Sequence, residues 1–466
     1  MRPQTDPEIS ARRVALDAEI RCLHERLALL KRERNTLAPL STLPNELLVK
    51  IFHFYVLATA ADFRAKGTVI SVCRHWCQVF RAAPTLWSHI VMYWNPEQSF
   101  PLEISRSGAM PLTIRVPNFS STSHSSLILP HVARIQSLDL RGPRQVLDFV
   151  QSMAALAFPL LESLTINFYD YTVGNEEEID ARLSLERLDE RLPRLSELSL
   201  FGIYANWASL PPLHSLSLTR SLRSGAILNP ITLDDLLAVL ESSPALHYLY
   251  LCAILTGAIP EKHAPIPVQS LGHLDLRENL VYCQYLLTVL AFPPSTRLTL
   301  HSPNILNGAD IRAILIPIHR HLRAPGAPRA TTVMLRTRDD FHDPEEEDTY
   351  FQIAVYAGPP PPKGDEGHLF VIRTNPTSAH ALRQILCKVL KALPTEMVSH
   401  LDGRNARLSC KTWSTALALL PVLEHGRGHV SAIEEHFQQS SLQPGHRLTM
   451  DCYINGEGKL AVAVVI

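Results

Sequence analysis

A six-residue template, apolar-x-x-apolar-x-apolar, recurs along the middle of this chain and leaves few folds open to it. Its copies are Ile135, Leu138 and Leu140; Leu161, Leu164 and Ile166; Leu195, Leu198 and Leu200; Leu213, Leu216 and Leu218; Leu246, Leu249 and Leu251; and Leu271, Leu274 and Leu276. A weaker copy ends in Leu298 and Leu300. Side chains alternate along an extended segment, so the last two apolar residues of each copy share one face and the residue between them faces the other way. Asp139, Thr165, Ser199, Ser217, Tyr250 and Asp275 hold that outward position. Geometry alone makes them candidates for contact with a partner.

Helical stretches such as Gln145–Ala157, Leu233–Ser242 and Val281–Ala291 lie between the copies. Strand, turn, helix and return generate a right-handed coil with parallel strands. The spacings between first positions are 26, 34, 18, 33 and 25 residues. They straddle the roughly 20–29 residues of a leucine-rich repeat, which the pattern resembles in divergent form. The Asn usual at the turn is mostly absent, with Leu276-Arg277-Glu278-Asn279 coming nearest. An ordinary α/β domain with leucine-rich strands is the competing reading, and it accounts less well for so many near-matches to one template. The expected fold class is α/β: an N-terminal helix and a three-helix module, then a leucine-rich-repeat-like solenoid with parallel strands.

The three-helix module spans residues 41–93. Ser41 or Thr42 can cap a helix starting near Pro44. Leu47, Leu48, Ile51, Phe52 and Tyr55 then fall at helical spacing on a broad apolar face. A second helix is expected from about Thr68 to Ala82, carrying Val69, Val72, Cys73, Trp76 and Phe80, with Pro84 ending it. Leu86 and Trp87 seed a short last element. So small a helical unit has barely enough core to stand alone.

The order Leu43-Pro44-Asn45-Glu46-Leu47-Leu48, Ile51-Phe52, Val72-Cys73-Arg74-His75-Trp76 and Pro84-Thr85-Leu86-Trp87 resembles the F-box. A coiled-coil-like helix running into such a module also resembles an arrangement common in basidiomycete fungi. The resemblance covers about a tenth of the chain. It implies docking on a Skp-type adaptor of a cullin–RING ubiquitin ligase through Leu43, Pro44, Leu47, Leu48, Ile51, Phe52, Val72, Cys73, Trp76 and Trp87. The chain would then be a substrate-recruiting subunit, with the repeats binding an unknown protein client. The alternatives are a non-catalytic repeat scaffold and a coiled-coil interaction protein with no ligase role.

Residues 8–37 read as a charged helix. Ile9, Leu16, Leu23, Leu30 and Leu37 recur every seven residues, and Ile20 and Leu27 fill alternate positions that Arg13 and Arg34 interrupt. That seam fits a coiled coil and equally a helix packed on the next domain. The boundaries expected are 1–40 for this helix, 41–93 for the module, 94–340 for the repeats and 341–466 for an irregular C-terminal cap. In the cap, Thr332–Leu335, Phe351–Tyr356 and Leu369–Ile372 look like strands and Ala379–Leu393 like a helix. Arg447–Tyr453, Asn455-Gly456-Glu457-Gly458 and Lys459–Ile466 read as strand, turn and strand. Asp339–Asp348 and Glu176–Glu178 read as acidic loops and Pro359–Pro362 as a stiff one.

A formal net charge of -1 gives no global field for nucleic acid or an anionic membrane. No apolar run approaches the roughly 18–20 residues of a membrane span. The cysteines are scattered, as expected of reduced thiols in a cytoplasmic or nuclear protein. No phosphate loop, dinucleotide fingerprint, zinc-protease pattern or serine elbow appears, so no enzyme and no cofactor is expected. Cys73-x-His75-x-Cys77 lacks the further ligands of a zinc site. His319 and His321 read as surface residues, and Trp94 and Trp207 as packing residues rather than exposed anchors.

Overall fold

The computed structural model describes residues 7–59, 64–93, 96–153, 156–168, 182–183, 188–205, 207–220, 231–260, 264–302, 305, 311–338, 350–359, 367–406, 408–423, 425–427, 449–454 and 460–465. The chain is mixed α/β and divides into two compact units, Met1–Pro117 and Asn118–Ile466.

The first unit is mainly helical. Helix α1 (Pro7–Thr36) leads through a 3-10 turn (Pro39–Thr42) to α2 (Asn45–Ala58), α3 (Ala65–Val72), α4 (Arg74–Ala82) and the single-turn α5 (Pro84–Trp87). Strand β1 (His89–Val91), helix α6 (Pro96–Ser107) and strand β2 (Leu112–Val116) complete it. The two strands pair in parallel with Ile90 opposite Ile114, and both residues are buried.

The second unit is built on a large, mostly parallel sheet. After α7 (Thr122–Ile128), strands β3 (Ile135–Gly142), β4 (Ser163–Phe168), β5 (Glu197–Phe201), β6 (Ser215–Thr219), β7 (Tyr248–Cys252), β8 (His273–Arg277) and β9 (Arg297–His301) stack in chain order. Leu138, Leu164, Leu198, Leu216, Leu249, Leu274 and Leu298 occupy one register row. Leu140, Ile166, Leu200, Leu218, Leu251, Leu276 and Leu300 occupy the next inward row. Every one of these side chains is at most 1% exposed. Burying one leucine contributes about 1.5–3 kcal/mol, so these rows dominate the stability of the unit. Helices α8 (Gln145–Met153), α9 (Leu233–Ser242) and α10 (Leu280–Val289) follow β3, β6 and β8. Each buries an apolar stripe, such as Leu233, Leu236, Leu237 and Leu240 on α9.

Ile135, the first apolar residue of the first copy, opens β3, but in the later copies that residue is a turn residue rather than a strand residue. Leu161, Leu195, Leu246 and Leu271 donate their N–H to the carbonyl three residues back, on Phe158, Leu192, Ser243 and Val268. Leu213 follows Pro211 and Pro212 and donates instead to Ser243 Oγ at 3.0 Å, tying two successive units together. In the weak last copy, Thr296 donates its hydroxyl to Leu271 O at 2.6 Å.

The expectation of parallel strands holds through β9 and then meets an exception. Beyond α11 (Arg312–Leu322) the chain forms β10 (Thr332–Arg338), β11 (Tyr350–Tyr356) and β12 (His368–Thr374). Strand β12 returns beside β9 in parallel, while β11 runs antiparallel to both β10 and β12. Helix α12 (Ala379–Ala392) leads to β13 (His400–Asn405), which pairs with β10; α13 (Cys410–Ala418) leads to β14 (His425–Arg427). Strands β15 (Thr449–Ile454) and β16 (Leu460–Val465) form an antiparallel pair. His319 and His321 lie on α11, and His319 is exposed as expected. His321 is buried, its ring 2.9 Å from Thr296 O, because α11 turns that face inward. Trp207 is buried. Trp94, Glu176–Glu178, Asp339–Asp348, Pro360–Pro362 and the Asn455–Gly458 turn lie outside the described residues.

One buried carboxyl organises a turn of the stack. Ala253, just after β7, has φ +52°, an uncommon conformation for alanine. Glu278, at the end of β8 and 3% exposed, accepts the N–H groups of Ile254 at 2.7 Å and Leu255 at 3.3 Å. Burial pushes its pKa up to about 7, against these hydrogen bonds and Arg220, which favour the charged form. Between its ordinary range and pH 7 the folded chain therefore holds a proton that the unfolded chain has released. Stability falls as pH rises through that window, by an amount on the order of 1–3 kcal/mol. Glu278→Gln keeps the acceptor oxygen without the charge. The variant is expected to unfold at higher urea than the parent at pH 8, with the difference shrinking toward pH 5, as circular dichroism would show.

Candidate docking surface

Helix α2 is apolar on two sides, and the two sides have different fates. Leu48, Phe52 and Val56, spaced four apart, are buried. They join Val69 of α3, Val79 and Phe80 of α4, and Ala83, Leu86 and Trp87 in one core, with Leu43, Val49, Ile70 and Trp76 packed at its edge. The Phe52 ring lies 4.9 Å from that of Trp76 and 6.1 Å from that of Phe80. Trp87 meets Phe80 edge-on at 5.3 Å and donates its indole N–H to Phe80 O at 3.1 Å. A buried indole N–H needs such a partner, so this bond fixes where α5 closes the module.

The other side of α2 is left exposed. Leu47 is 43% exposed, Ile51 45%, Phe54 70% and Tyr55 37%. Positions 47, 51, 54 and 55 form a single stripe at helical spacing. Val72, at the end of α3, is 54% exposed. Pro44 is exposed at the head of α2, where its carbonyl accepts the N–H of Leu47 and Leu48.

Two local expectations change. Ser41 and Thr42 do not cap α2: their hydroxyls donate back to Asn35 O at 2.5 Å, at the end of α1, and to Pro39 O at 2.7 Å, in the 3-10 turn. The single helix expected over 68–82 is two helices. Cys73 breaks it in extended conformation, and its Sγ accepts the N–H of Trp76 at 3.4 Å as the cap of α4. The break lets Val69 and Val79 reach the same core from different directions. Among the described residues, no group of three or more His, Cys, Asp or Glu could hold a metal ion.

The ten residues singled out from the sequence thus separate. Leu48, Phe52 and Trp87 build the core; Leu43, Cys73 and Trp76 sit half-buried; Pro44, Leu47, Ile51 and Val72 face outward. Phe54 completes the exposed stripe and was missed, although its spacing of three from Ile51 and seven from Leu47 carried the signal. On the far side of Trp87 lies an ionic brace. Arg106 stacks over its ring at 4.4 Å, and Lys66 bridges Glu103 and His89 O. Burial raises the pKa of Glu103 against the pull of Lys66. Burial, with His53 and Lys66 nearby, lowers that of His89 to about 4.

The second unit offers a different surface. Asp139, Thr165, Ser199, Ser217, Tyr250, Asp275 and Thr299 form one outward row across β3–β9. In this row β3 carries Asp139, and β4–β6 carry short hydroxyl side chains. The last carry larger groups that sequence spacing did not single out: Tyr248, His273, Arg277, Arg297 and His301. The Arg277 guanidinium lies 5.3 Å from the Tyr250 ring centre. Burial raises the pKa of Asp275, with Arg277 and Arg373 opposing.

Residues 40–93 match the F-box-like family model, which gives this module a protein-interaction role. No curated protein matches the chain. No helix among the described residues is long and apolar enough to cross a membrane.

The split between the two sides of α2 has a direct consequence. Phe52→Ala is expected to cost about 3–5 kcal/mol through the cavity it leaves. Leu47→Ala and Ile51→Ala, at exposed positions, are each expected to stay within about 1 kcal/mol. Urea titration of the full chain, followed by circular dichroism, would reveal the contrast.

Proposed function

We propose that this chain is a non-catalytic, substrate-recruiting subunit of a cullin–RING ubiquitin ligase. The observation that carries this reading is the exposed stripe of Leu47, Ile51, Phe54 and Tyr55 on a helix whose opposite side is already fully used. A contiguous apolar patch is costly to leave in water and marks a partner site. The F-box-like match over the same residues supports a Skp-type adaptor as that partner.

In this reading Leu47, Ile51 and Val72, with Pro44 at the helix head, meet the adaptor. Leu48, Phe52 and Trp87 hold α2 at the angle that presents them. Leu43, Cys73 and Trp76 border the interface. Large side chains buried together at the centre of a contact supply most of its binding energy. The second unit is a divergent leucine-rich-repeat-like solenoid whose half-buried outward rows receive a protein client. The 18-residue spacing before Leu213 and the antiparallel β11 are its main irregularities. The chain adds proximity: it raises the concentration of a client lysine near the ubiquitin donor, and partner enzymes supply the chemistry. The work is placed in the cytoplasm or nucleus.

Co-expression with a Skp-type adaptor tests the reading. The parent chain should co-purify with the adaptor at one-to-one ratio. Leu47→Asp combined with Ile51→Asp should abolish co-purification while the circular dichroism spectrum and unfolding midpoint stay close to those of the parent. Retention of the adaptor by that folded variant would overturn the proposal.

A further inference from the structure

Helix α1 is thirty residues long, and its side chains from Ile9 to Arg34 are all exposed. The seam residues Ile9, Leu16, Ile20, Leu23, Leu27 and Leu30 are each 41–60% exposed, so among the described residues none covers them. We propose that they are covered by α1 of a second copy of this chain, running antiparallel in full overlap.

The charges select this arrangement over a parallel one. With leucines at the d positions of the heptads, Arg13 and Arg34 fall at a positions. In a parallel pair, a faces a and d faces d. Arg13 would meet Arg13 and Arg34 would meet Arg34 inside the seam, where like charges are most costly. Arg26 would also flank Lys31 of the second copy. In an antiparallel pair, a faces d. With the two helices aligned end to end, Ile20 packs on Leu23 and Leu16 on Leu27 of the second copy, each contact occurring twice by symmetry. Arg13 then lies over Leu30, and its aliphatic stem can cover the leucine while the guanidinium reaches water.

The flanks fix the register. In full overlap Arg12 comes beside Glu33 of the second copy, Glu19 beside Arg26, and Asp17 beside His24. All of these are complementary, and each recurs by symmetry. A slip of one heptad in one direction sets Arg26 against Arg26 and Glu19 against Glu33. A slip in the other direction sets Arg12 against Arg26 and Glu19 against Glu19. Of these three registers only the unslipped one avoids like charges, and a slip of two heptads would give up much of the apolar overlap. This pairing rests on α1 alone and holds whether or not the adaptor reading does.

Sedimentation equilibrium on the full chain bound to its adaptor, or on the free chain if no adaptor binds, tests the proposal. A monomer–dimer equilibrium in the micromolar range is expected. Leu23→Asp should leave only monomer; a dimer that persists in this variant would place the contact elsewhere and overturn the proposal. Arg26→Glu should weaken pairing roughly tenfold, because it sets a second carboxylate against Glu19 at both symmetric contacts, and adding Glu19→Arg should restore it. Arg26→Glu would strengthen a parallel pair instead, by removing the clash with Lys31, so tighter association would overturn the antiparallel arrangement. A parent chain that is monomeric at all concentrations would overturn the whole. Because these positions are exposed on α1, the variants should keep the parent's unfolding midpoint.

Discussion

No strand of the second unit can bury its own leucines. A five-residue strand has two inward residues and no second layer of its own, so each depends on the strands beside it and the helix behind it. The parallel register settles every copy at once: with Leu249 set between Leu216 and Leu274, the row cannot shift by one residue without turning its leucines to solvent. The same alignment forces Asp139, Thr165, Ser199, Ser217, Tyr250 and Asp275 into a row on the other face. Stability therefore resides in one set of positions, while the intervening set is free to vary. The change from the hydroxyls Thr165, Ser199 and Ser217 at β4–β6 to Tyr, His and Arg at β7–β9 is a change of chemistry at constant packing.

That separation explains why the stack was legible. Period two and a repeated template survive uneven spacing, because loops of different length can all return the chain to the next strand. The role of the first apolar residue was not legible, since a turn and a strand both bury a leucine. The reversal at β11 was not legible either. Its burial is continuous from Tyr350 to Tyr356, so no alternation reports which neighbour it faces or in which direction it runs. Burial of His321 and the stitching by Glu278 depend on partners 25 and 24 residues away, Thr296 and Ile254, and a linear pattern does not show these.

In the three-helix module, the helices could be read but not their faces. The doublets Leu47-Leu48 and Ile51-Phe52 place apolar groups on both sides of α2, and spacing alone cannot say which side is core. The core proves to be the side whose members reach Phe80 and Trp87. The Trp87 indole, bonded to Phe80 O, fixes the closing turn, and thereby which side of α2 stays open. Cys73 is a related case. A small half-apolar residue looks ordinary within a helix, and only its thiol accepting the Trp76 N–H shows that it ends one helix and starts another.

The first unit thus carries two uncovered apolar surfaces of different character. The stripe on α2 is broad and partly aromatic, and its edge charge is limited to Glu46 and Lys50, too short a run to set a register. Specificity there must come from the shape of the partner. The seam on α1 is narrow, with a limited run of leucines, so its apolar area alone gives modest affinity. Its flanks, however, alternate Arg12, Glu19, Arg26 and Glu33, a pattern that becomes its own complement when one helix is reversed. A surface complementary to its own reversal selects an identical partner, and one that offers only shape selects a different partner. The two can therefore be filled at the same time without competing, and recruitment by α2 would then occur in pairs.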